Sequence, residues 1–373
     1  MAARKRTSWL ILVNILLLLN IGAVISIFCS YAAHYIDPHD YWIFALFGLL
    51  YPWILILNLA FILLWLILWK RYALLSIIAI LIGWNQLNTM IAINYETPVI
   101  PPAQNMSLIT YNVHGFTGEA NVKIDFRAEI IEYIAGEHPD ILCLQEFHIR
   151  EADTTPVIRK CIKAWDLRYH YMTNYYRNRK WTGINGIATF SRYPIVRTGI
   201  LEHQPSKHFA IYTDIVMEYD TLRLFNVHLA SLRLGQHDVN FYYQLKKNET
   251  ENVNIKQGFF SILRKLKTAF ILRAKQSEIL LQAIENSPYP VLVCGDLNDS
   301  PFSYTYHELT QNLTDSYKEA GTGFFGSTYD GVPPNYRIDY ILHDRHFRVF
   351  TYKKSNVTFS DHYPVSGMVM FNY

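Results

Sequence analysis

The chain is 373 residues long, enough for one sizeable domain with additional elements. Its formal net charge of +3 is too small to imply a nucleic-acid partner by itself, and four cysteines do not make a disulfide framework. Cys143 and Cys294 fall in predicted core strands, where cysteine acts as a small apolar residue.

Charge is unevenly spread along the chain. No Asp, Glu, Lys or Arg occurs from Thr7 to Ile36, from Tyr41 to Trp69, or from Tyr72 to Tyr95. Each stretch is long enough to cross a hydrocarbon core, which needs about 20 mostly apolar residues. The pattern predicts an integral membrane region over 1–96 with three helices, at about 9–30, 42–69 and 72–93. Arg4-Lys-Arg6 before an apolar run resembles a secretion signal. The run from Trp9 to Cys29 exceeds the ~7–15 residues of a signal core, so it is read as a retained helix. Three crossings place Arg4, Lys5, Arg6, Lys70 and Arg71 on the cytoplasmic side and the chain beyond Tyr95 on the periplasmic or outer face of a cell membrane. Asn85, Gln86 and Asn88 interrupt the third segment. Amides there serve to hydrogen-bond neighbouring helices, and a segment that only dips into the bilayer would leave the domain cytoplasmic. Pro98, Pro101 and Pro102 mark a stiff linker over 97–104.

Beyond it, 105–373 has the composition of a globular domain. Ser107–Tyr111 is a predicted strand ending at Asn112. Phe126, Ile130 and Ile134 recur every fourth residue, which predicts a helix over Asp125–Glu137. Pro139-Asp140 stops it, and the buried run Ile141–Leu144 delivers Gln145-Glu146. Further strands are expected at Gly186–Ser191, Tyr212–Glu218, Leu222–His228, Val291–Cys294, Arg337–Leu342 and Val365–Phe371, with a helix at Arg273–Glu285. Before that helix, Phe259, Leu263, Leu266 and Phe270 share one helical face while Arg264, Lys265 and Lys267 lie mostly elsewhere. Such a face packs on the domain or lies on an anionic bilayer. Strands mixed with helices on a long repeat suggest an α/β sandwich.

Polar groups stand where several of these strands end, and their types suit phosphoester chemistry. A divalent ion neutralises phosphate charge and activates water. Mg²⁺ takes oxygen ligands and keeps several waters, so one or two carboxylates suffice. Glu146 directly follows four apolar residues and is the best ligand candidate; Asn112 can add an amide oxygen. Asp296 and Asn298 in Gly295-Asp-Leu-Asn298 are two apart, so both face one side of an extended chain. A carboxylate there can take a proton from attacking water, and the amide can hold that water or a phosphate oxygen. His228 ends its own strand. Asp339, in Arg337-Ile-Asp339, can orient an imidazole such as His362 in Ser360-Asp-His362 and keep it cationic. The plainer role for Asp339 is an ion pair with Arg337 on the same strand face.

Taken in order, Asn112, Gln145-Glu146, His228, Gly295–Asn298, Arg337–Tyr340 and Ser360–His362 resemble the endonuclease/exonuclease/phosphatase superfamily over about residues 105–373. Ser191–Ile195 and Ser327–Tyr329 look like further family segments. The resemblance implies a four-layered, DNase I-like α/β sandwich with its site at the shared edge of two sheets. It implies Mg²⁺ or Mn²⁺ held chiefly by Glu146, with Asn112 and Asp361 nearby. It assigns Asp296 to water activation, Asn298 to positioning, His228 and His362 to phosphate contacts and Asp339 to orienting His362. One departure is His114, which stands where some family nucleases place an acidic residue near the metal.

The expected activity is therefore that of a membrane-anchored, metal-dependent phosphoesterase acting on a lipid headgroup or another extracytoplasmic phosphoester. The aromatic residues Tyr175, Tyr176, Trp181, Phe259 and Phe260 favour lipid. The alternative is an extracytoplasmic nuclease, whose phosphate backbone would meet Arg177, Arg179, Lys180, Lys246 and Lys247. A non-catalytic receptor on the same fold has no need of the full residue set.

Overall fold

The computed structural model describes residues 2–94, 105–117, 125–175, 183–204, 207–218, 220–232, 244, 255–331 and 335–372. The expected linker over 97–104 lies outside them, as do Tyr176, Arg177, Arg179, Lys180, Trp181, Lys246 and Lys247.

Two six-stranded sheets form the core. The first is built from β2 (Asn105–Asn112), β3 (Ile141–Arg150), β4 (Tyr169–Asn174), β5 (Gly183–Ser191), β13 (Phe347–Lys354) and β14 (Val365–Phe371), in the order β13-β14-β2-β3-β5-β4. The second is built from β6 (Ile195–Gln204), β7 (Lys207–Val216), β8 (Thr221–His228), β9 (Val291–Asp296), β10 (Thr314–Asp315) and β12 (Asp339–His343), in the order β10-β12-β9-β8-β7-β6. Each contains one parallel pair, β2 with β3 and β8 with β9. Met106, Leu108, Ile141 and Cys143 of one sheet meet Leu222, Leu224, Leu292, Cys294 and Ile341 of the other in an apolar core. On the outer face of the first sheet lie α7 (Arg127–Glu137) and α8 (Glu151–Trp165); on that of the second lie α9 (Ile255–Glu285) and α10 (Tyr304–Thr310). The expected four-layered sandwich is formed.

The amino-terminal region differs from the sequence expectation. The helix α1 (Ala2–Ala32) contains Thr7–Ala32, 26 residues long and apolar enough to cross a membrane. The second expected helix is broken: α3 (Ile43–Leu49) and α4 (Tyr51–Ile67) meet at 66° around Leu50. Pro52, at the start of α4, lacks an N–H and its ring clashes with a preceding helical carbonyl, which accounts for the break. The third is replaced by α5 (Ala73–Ile82), only 10 residues long, then α6 (Trp84–Thr89) and β1 (Ile91–Ile93). Ten helical residues rise about 15 Å, half of a hydrocarbon core. Three spanning helices and a multi-pass arrangement are thus corrected to one helix of spanning length among the described residues, or two if the bent pair is counted as one span. Of the polar residues that interrupt the third segment, Gln86 Nε2 donates to the Tyr31 carbonyl of α1, as expected of an amide between helices, while the Asn88 carbonyl accepts from Lys318 Nζ at 2.5 Å. Further along, Asn94 Nδ2 donates to the Lys318 and Gly321 carbonyls.

These helices pack on the sandwich. Strand β1 pairs antiparallel with β11 (Thr322–Phe324). Tyr51 meets Phe302 at 4.7 Å between ring centroids, and the Tyr336 hydroxyl donates to the Leu49 carbonyl. A Cβ on Gly48 would lie 2.8 Å from the Phe302 carbonyl oxygen, so only glycine allows that approach. Within the bundle, Trp65 donates to Asn20, Asn20 to Ser76 and Ser76 to Asn58, and Asn58 donates in turn to the Ala23 and Ile54 carbonyls.

Candidate active site

The carboxyl ends of both parallel pairs open on the same edge of the sandwich. Asn112 is in register with Gln145, His228 with Asp296, and Asp296 with Asp339. A cross-sheet hydrogen bond holds the two halves together: Gln145 Nε2 donates to Asn226 Oδ1 at 2.7 Å, both groups fully buried. The Asn226 of the Asn-Val-His segment is therefore a staple between sheets.

Local backbone irregularities aim the side chains. The register of β3 shifts between Leu144 and Phe147, and Glu146 adopts φ +51, a bulge that turns its carboxylate out of the sheet. Gly295 has φ +137, and a Cβ there would sit 2.0 Å from the Val227 carbonyl oxygen. Glycine is required for β9 to approach β8 this closely and deliver Asp296.

Asp296 is the centre of the cluster and is 1% exposed. It accepts from the Asn298 backbone N–H at 2.7 Å, from the Asn298 side chain at 3.1 Å and from Asn112 Nδ2 at 3.0 Å. His228 Nε2 and His362 Nε2 lie 3.6 and 3.7 Å from its Oδ2. Burial raises its carboxyl to about 6, with Asp339 adding to the rise and the two imidazoles and Asn112 opposing it.

Asp339 accepts from His362 Nδ1 at 2.9 Å and is fully buried. Burial alone would lower the imidazole, but the carboxylates of Asp339 and Asp296 outweigh it and push His362 up to about 10. Thr328 Oγ1 accepts the backbone N–H groups of Ile338 and Asp339, fixing the start of β12. The expected Asp339–Arg337 ion pair is absent: Arg337 Nη1 donates to Asp315 at 2.6 Å instead, among the rings of Tyr306, Tyr317 and Tyr340.

Tyr175 is a functional candidate that the sequence marked only as one aromatic among several. Its hydroxyl accepts the Glu146 backbone N–H at 2.8 Å and lies 2.5 Å from His228 Nδ1. Burial and the Glu146 carboxylate keep this phenol protonated, so it donates to Nδ1. His228 Nε2 is a buried atom with no hydrogen-bond partner, 3.6 Å from both Glu146 Oε1 and Asp296 Oδ2. No motif surrounds Tyr175, and chain folding alone brings it here.

Glu146 and Asp361 lie on either side of His114. His114 Nδ1 is 3.1 Å from Asp361 Oδ1 and 3.8 Å from Glu146 Oε2. Asn112 donates to Glu146 Oε1 at 3.3 Å, while its oxygen accepts the His114 backbone N–H at 3.1 Å. All eight residues singled out from the sequence thus gather at this edge. The trio whose ligand atoms lie within 4.8 Å of one another is Asp296, Asp339 and His362, all buried. There the Asp339–His362 hydrogen bond occupies the facing atoms, which suits a proton-holding relay. Glu146 and Asp361, with side chains 35% and 14% exposed, are reachable from solvent and offer the hard oxygen donors that a divalent ion prefers. A cleft of about 270 Å³ continues past Glu146, Tyr175 and His228, lined by His203, His208 and Phe209 and by Leu272 and Gln276 of α9.

Fold and site geometry are of the DNase I-like type, and the comparisons agree on the fold and the family. Residues 109–362 match the model of the endonuclease/exonuclease/phosphatase family, and the chain belongs to it. Members of this family are typically divalent-metal-dependent hydrolases of phosphoesters. Residues 13–90 match a model described as a domain of unknown function (DUF8431). A DNA-(apurinic or apyrimidinic site) endonuclease from Dictyostelium discoideum is 23% identical over 313 residues, covering 75% of this chain and 74% of the relative. Among solved structures, an endonuclease/exonuclease/phosphatase from Bacteroides vulgatus matches with TM-score 0.52 at 14% identity, covering 72% of this chain and 99% of that one. A second, from Beutenbergia cavernae, matches with TM-score 0.50 at 16% identity, covering 72% of each chain. At these identities the structural likeness is one of fold.

Proposed function

We propose that the chain hydrolyses a phosphoester by in-line attack of water at this edge, with the site held against a membrane. The observation that carries the reading is the arrangement of Asp296: a buried carboxylate, raised to about 6, with two imidazoles near its Oδ2. Such a carboxylate is poised to take a proton from water near neutral pH. Two hydrogen bonds from Asn298 hold its orientation. Nε2 of His228, on a ring held by Tyr175, is placed to donate to a phosphate oxygen. His362, kept cationic by Asp339, faces the same point and stabilises negative charge as it grows on phosphorus. Glu146 and Asp361, with Asn112 beside them, are the residues that would hold Mg²⁺ or Mn²⁺. A bound divalent ion neutralises phosphate charge and lowers the pKa of water.

The substrate we infer is a lipid phosphoester. Helix α1 supplies an anchor of spanning length, with Arg4, Lys5 and Arg6 at its start favouring a cytoplasmic amino terminus and a catalytic domain outside. Phe302, clamped by the amino-terminal helices, lies only four residues beyond Asn298, so the apolar module and the site are joined through one short loop. Helix α9 reinforces that connection. Its Leu266 and Phe270 pack against Ala45, and its Leu272 and Gln276 line the cleft about 9 Å further along. Phe259, Phe260, Arg264 and Lys267 are exposed on the same helix, the composition of an anionic bilayer contact.

The second reading, a nuclease, is favoured by the Dictyostelium relative, whose name assigns it apurinic or apyrimidinic DNA. The experiment is a direct comparison. The full chain in detergent or reconstituted vesicles, with Mn²⁺, is offered phospholipids and, separately, plasmid carrying abasic sites. Release of a headgroup or a phosphomonoester from lipid is expected. Nicking of the plasmid that disappears in Asp296→Asn, with lipid untouched, would replace the lipid reading by the nuclease one.

A further inference from the structure

The cleft beside the site has a polarity that hydrolysis alone does not require. Glu146, Tyr175 and His228 line it next to the reacting groups, and beyond them stand His203 on β6 and Lys207 and His208 on β7. Among the described lining residues Glu146 is the sole carboxylate and Lys207 the sole ammonium. The hairpin that carries Lys207 is tied to the site. The His208 backbone N–H donates to the Tyr175 carbonyl at 2.9 Å, and the Tyr175 hydroxyl touches both Glu146 and His228. On the opposite wall Gln276 of α9 accepts the Ala230 N–H at 2.8 Å, and its Nε2 lies 3.3 Å from His203 Nδ1. Helix, hairpin and the segment after His228 thus enclose one space of about 270 Å³.

The charge in that space is not balanced. Glu202, the acid opposite His208 in the ladder, is engaged by His208 Nε2 at 2.8 Å. Lys207 Nζ donates to a neutral acceptor, Gln204 Oε1, at 2.6 Å, and no carboxylate pairs with it among the described residues. The volume lies at the small end of ligand clefts, which run upward from about 300 Å³, and suits a headgroup better than a polymer. An acyl chain would strip water from Lys207, His203, Asn185 and Gln276 and return no hydrogen bond. A quaternary ammonium would meet a like charge at Lys207 and, besides Tyr175, one aromatic wall at Phe209, the reverse of a cage for cations. We propose that the cleft is a headgroup subsite for a second anionic group: beyond its scissile phosphoester the substrate carries a carboxylate or phosphate that Lys207 receives. The proposal rests on the reading that the site hydrolyses a lipid phosphoester. Selectivity for anionic over ethanolamine- or choline-type headgroups is then set by Lys207, apart from the groups that act on phosphorus.

Phosphatidylserine and phosphatidylethanolamine differ by one carboxylate and test this. Both are offered as dioctanoyl lipids, with Mn²⁺, to the full chain in a neutral detergent, so that no charged vesicle surface contributes. The serine lipid should be favoured in kcat/KM about tenfold or more, as a charge-assisted contact provides, and Lys207→Gln should bring the ratio near one, mainly by slowing the serine lipid. Titration calorimetry with O-phosphoserine and O-phosphoethanolamine reads the subsite without turnover and should show the same Lys207-dependent preference. If both lipids are cleaved with equal kcat/KM, or the preference survives Lys207→Gln, the proposal is overturned and the lipid reading stands. If neither lipid is cleaved while O-phosphoserine keeps a Lys207-dependent advantage, the lipid reading fails and the anionic subsite stands. Equal binding of the two phosphate compounds, or binding of neither, overturns the proposal whatever the lipids do.

Discussion

Asp296, Tyr175 and Arg337 show how single side chains divide the work of chemistry and stability. Replacing Asp296 by Asn keeps the shape and removes the proton acceptor, so kcat should fall about 10²–10⁴-fold while circular dichroism and melting stay close to wild type. Tyr175→Phe leaves His228 without the donor that sets its tautomer. Steady-state kinetics should show kcat reduced about tenfold, with KM less affected, and an unchanged kcat would refute the orienting role. Arg337 belongs to the scaffold. It is 1% exposed and paired with Asp315, so Asp315→Asn leaves a buried charge uncompensated. Thermal unfolding should register a loss of about 3–5 kcal/mol. That partnership was not visible in the sequence, where the nearest carboxylate to Arg337 is Asp339, two residues away on the predicted strand. Once β12 and β10 pair, Asp315 lies beside it, although 22 positions separate the two.

At the scale of elements, the strands that carry the site are the ones the sequence displayed best. Ile141–Leu144 and Val291–Cys294 are buried on both faces, so they appear as uninterrupted apolar runs, and each leads into polar residues at the sheet edge. Edge strands lack that mark. β4 and β6 are largely half-buried or exposed along their length and went unpredicted, as did α8, whose Pro156 and paired threonines mask a helix. The bulge at Glu146 and the close approach at Gly295 depend on neighbouring strands and have no local signal beyond the glycine itself. Gly295→Ala should destabilise the fold by more than about 1 kcal/mol and displace Asp296, measurable as a lowered melting temperature with lowered kcat. A second element-scale test concerns α11 (Ser316–Ala320), which is tied to β12 where Glu319 meets His343 at 2.6 Å. Burial lowers the His343 imidazole, but Glu319 and the Asp344 carbonyl outweigh it, so its folded pKa is raised. The pair therefore stabilises fully below the unfolded histidine value of about 6.5 and loses its effect as pH rises through the raised folded value. The melting temperature of wild type should exceed that of Glu319→Gln most at pH 6, and the gap should shrink toward pH 9.

For the whole molecule, the amino-terminal helices act as more than a tether. Composition alone announced apolar segments, but Pro52 and the run from Gly83 to Asn88 decide where helices break and where they turn to dock, and charge-free length does not report that. The docked surface includes Phe302, Tyr336 and the edge of β11, so a chain lacking residues 1–94 exposes all three. It should melt at lower temperature than the full chain and turn over more slowly, because the loop after Asn298 loses its clamp. Equal melting and equal kcat for the two would show the module to be an independent anchor. The central claim, however, is the chemistry at the shared sheet edge, and hydrolysis of a chromogenic phosphodiester by the full chain tests it most directly. Turnover should stop on chelation, return with Mn²⁺ or Mg²⁺, and be lost in Asp296→Asn. Hydrolysis that ignores the chelator, or that Asp296→Asn sustains at the wild-type rate, would contradict it.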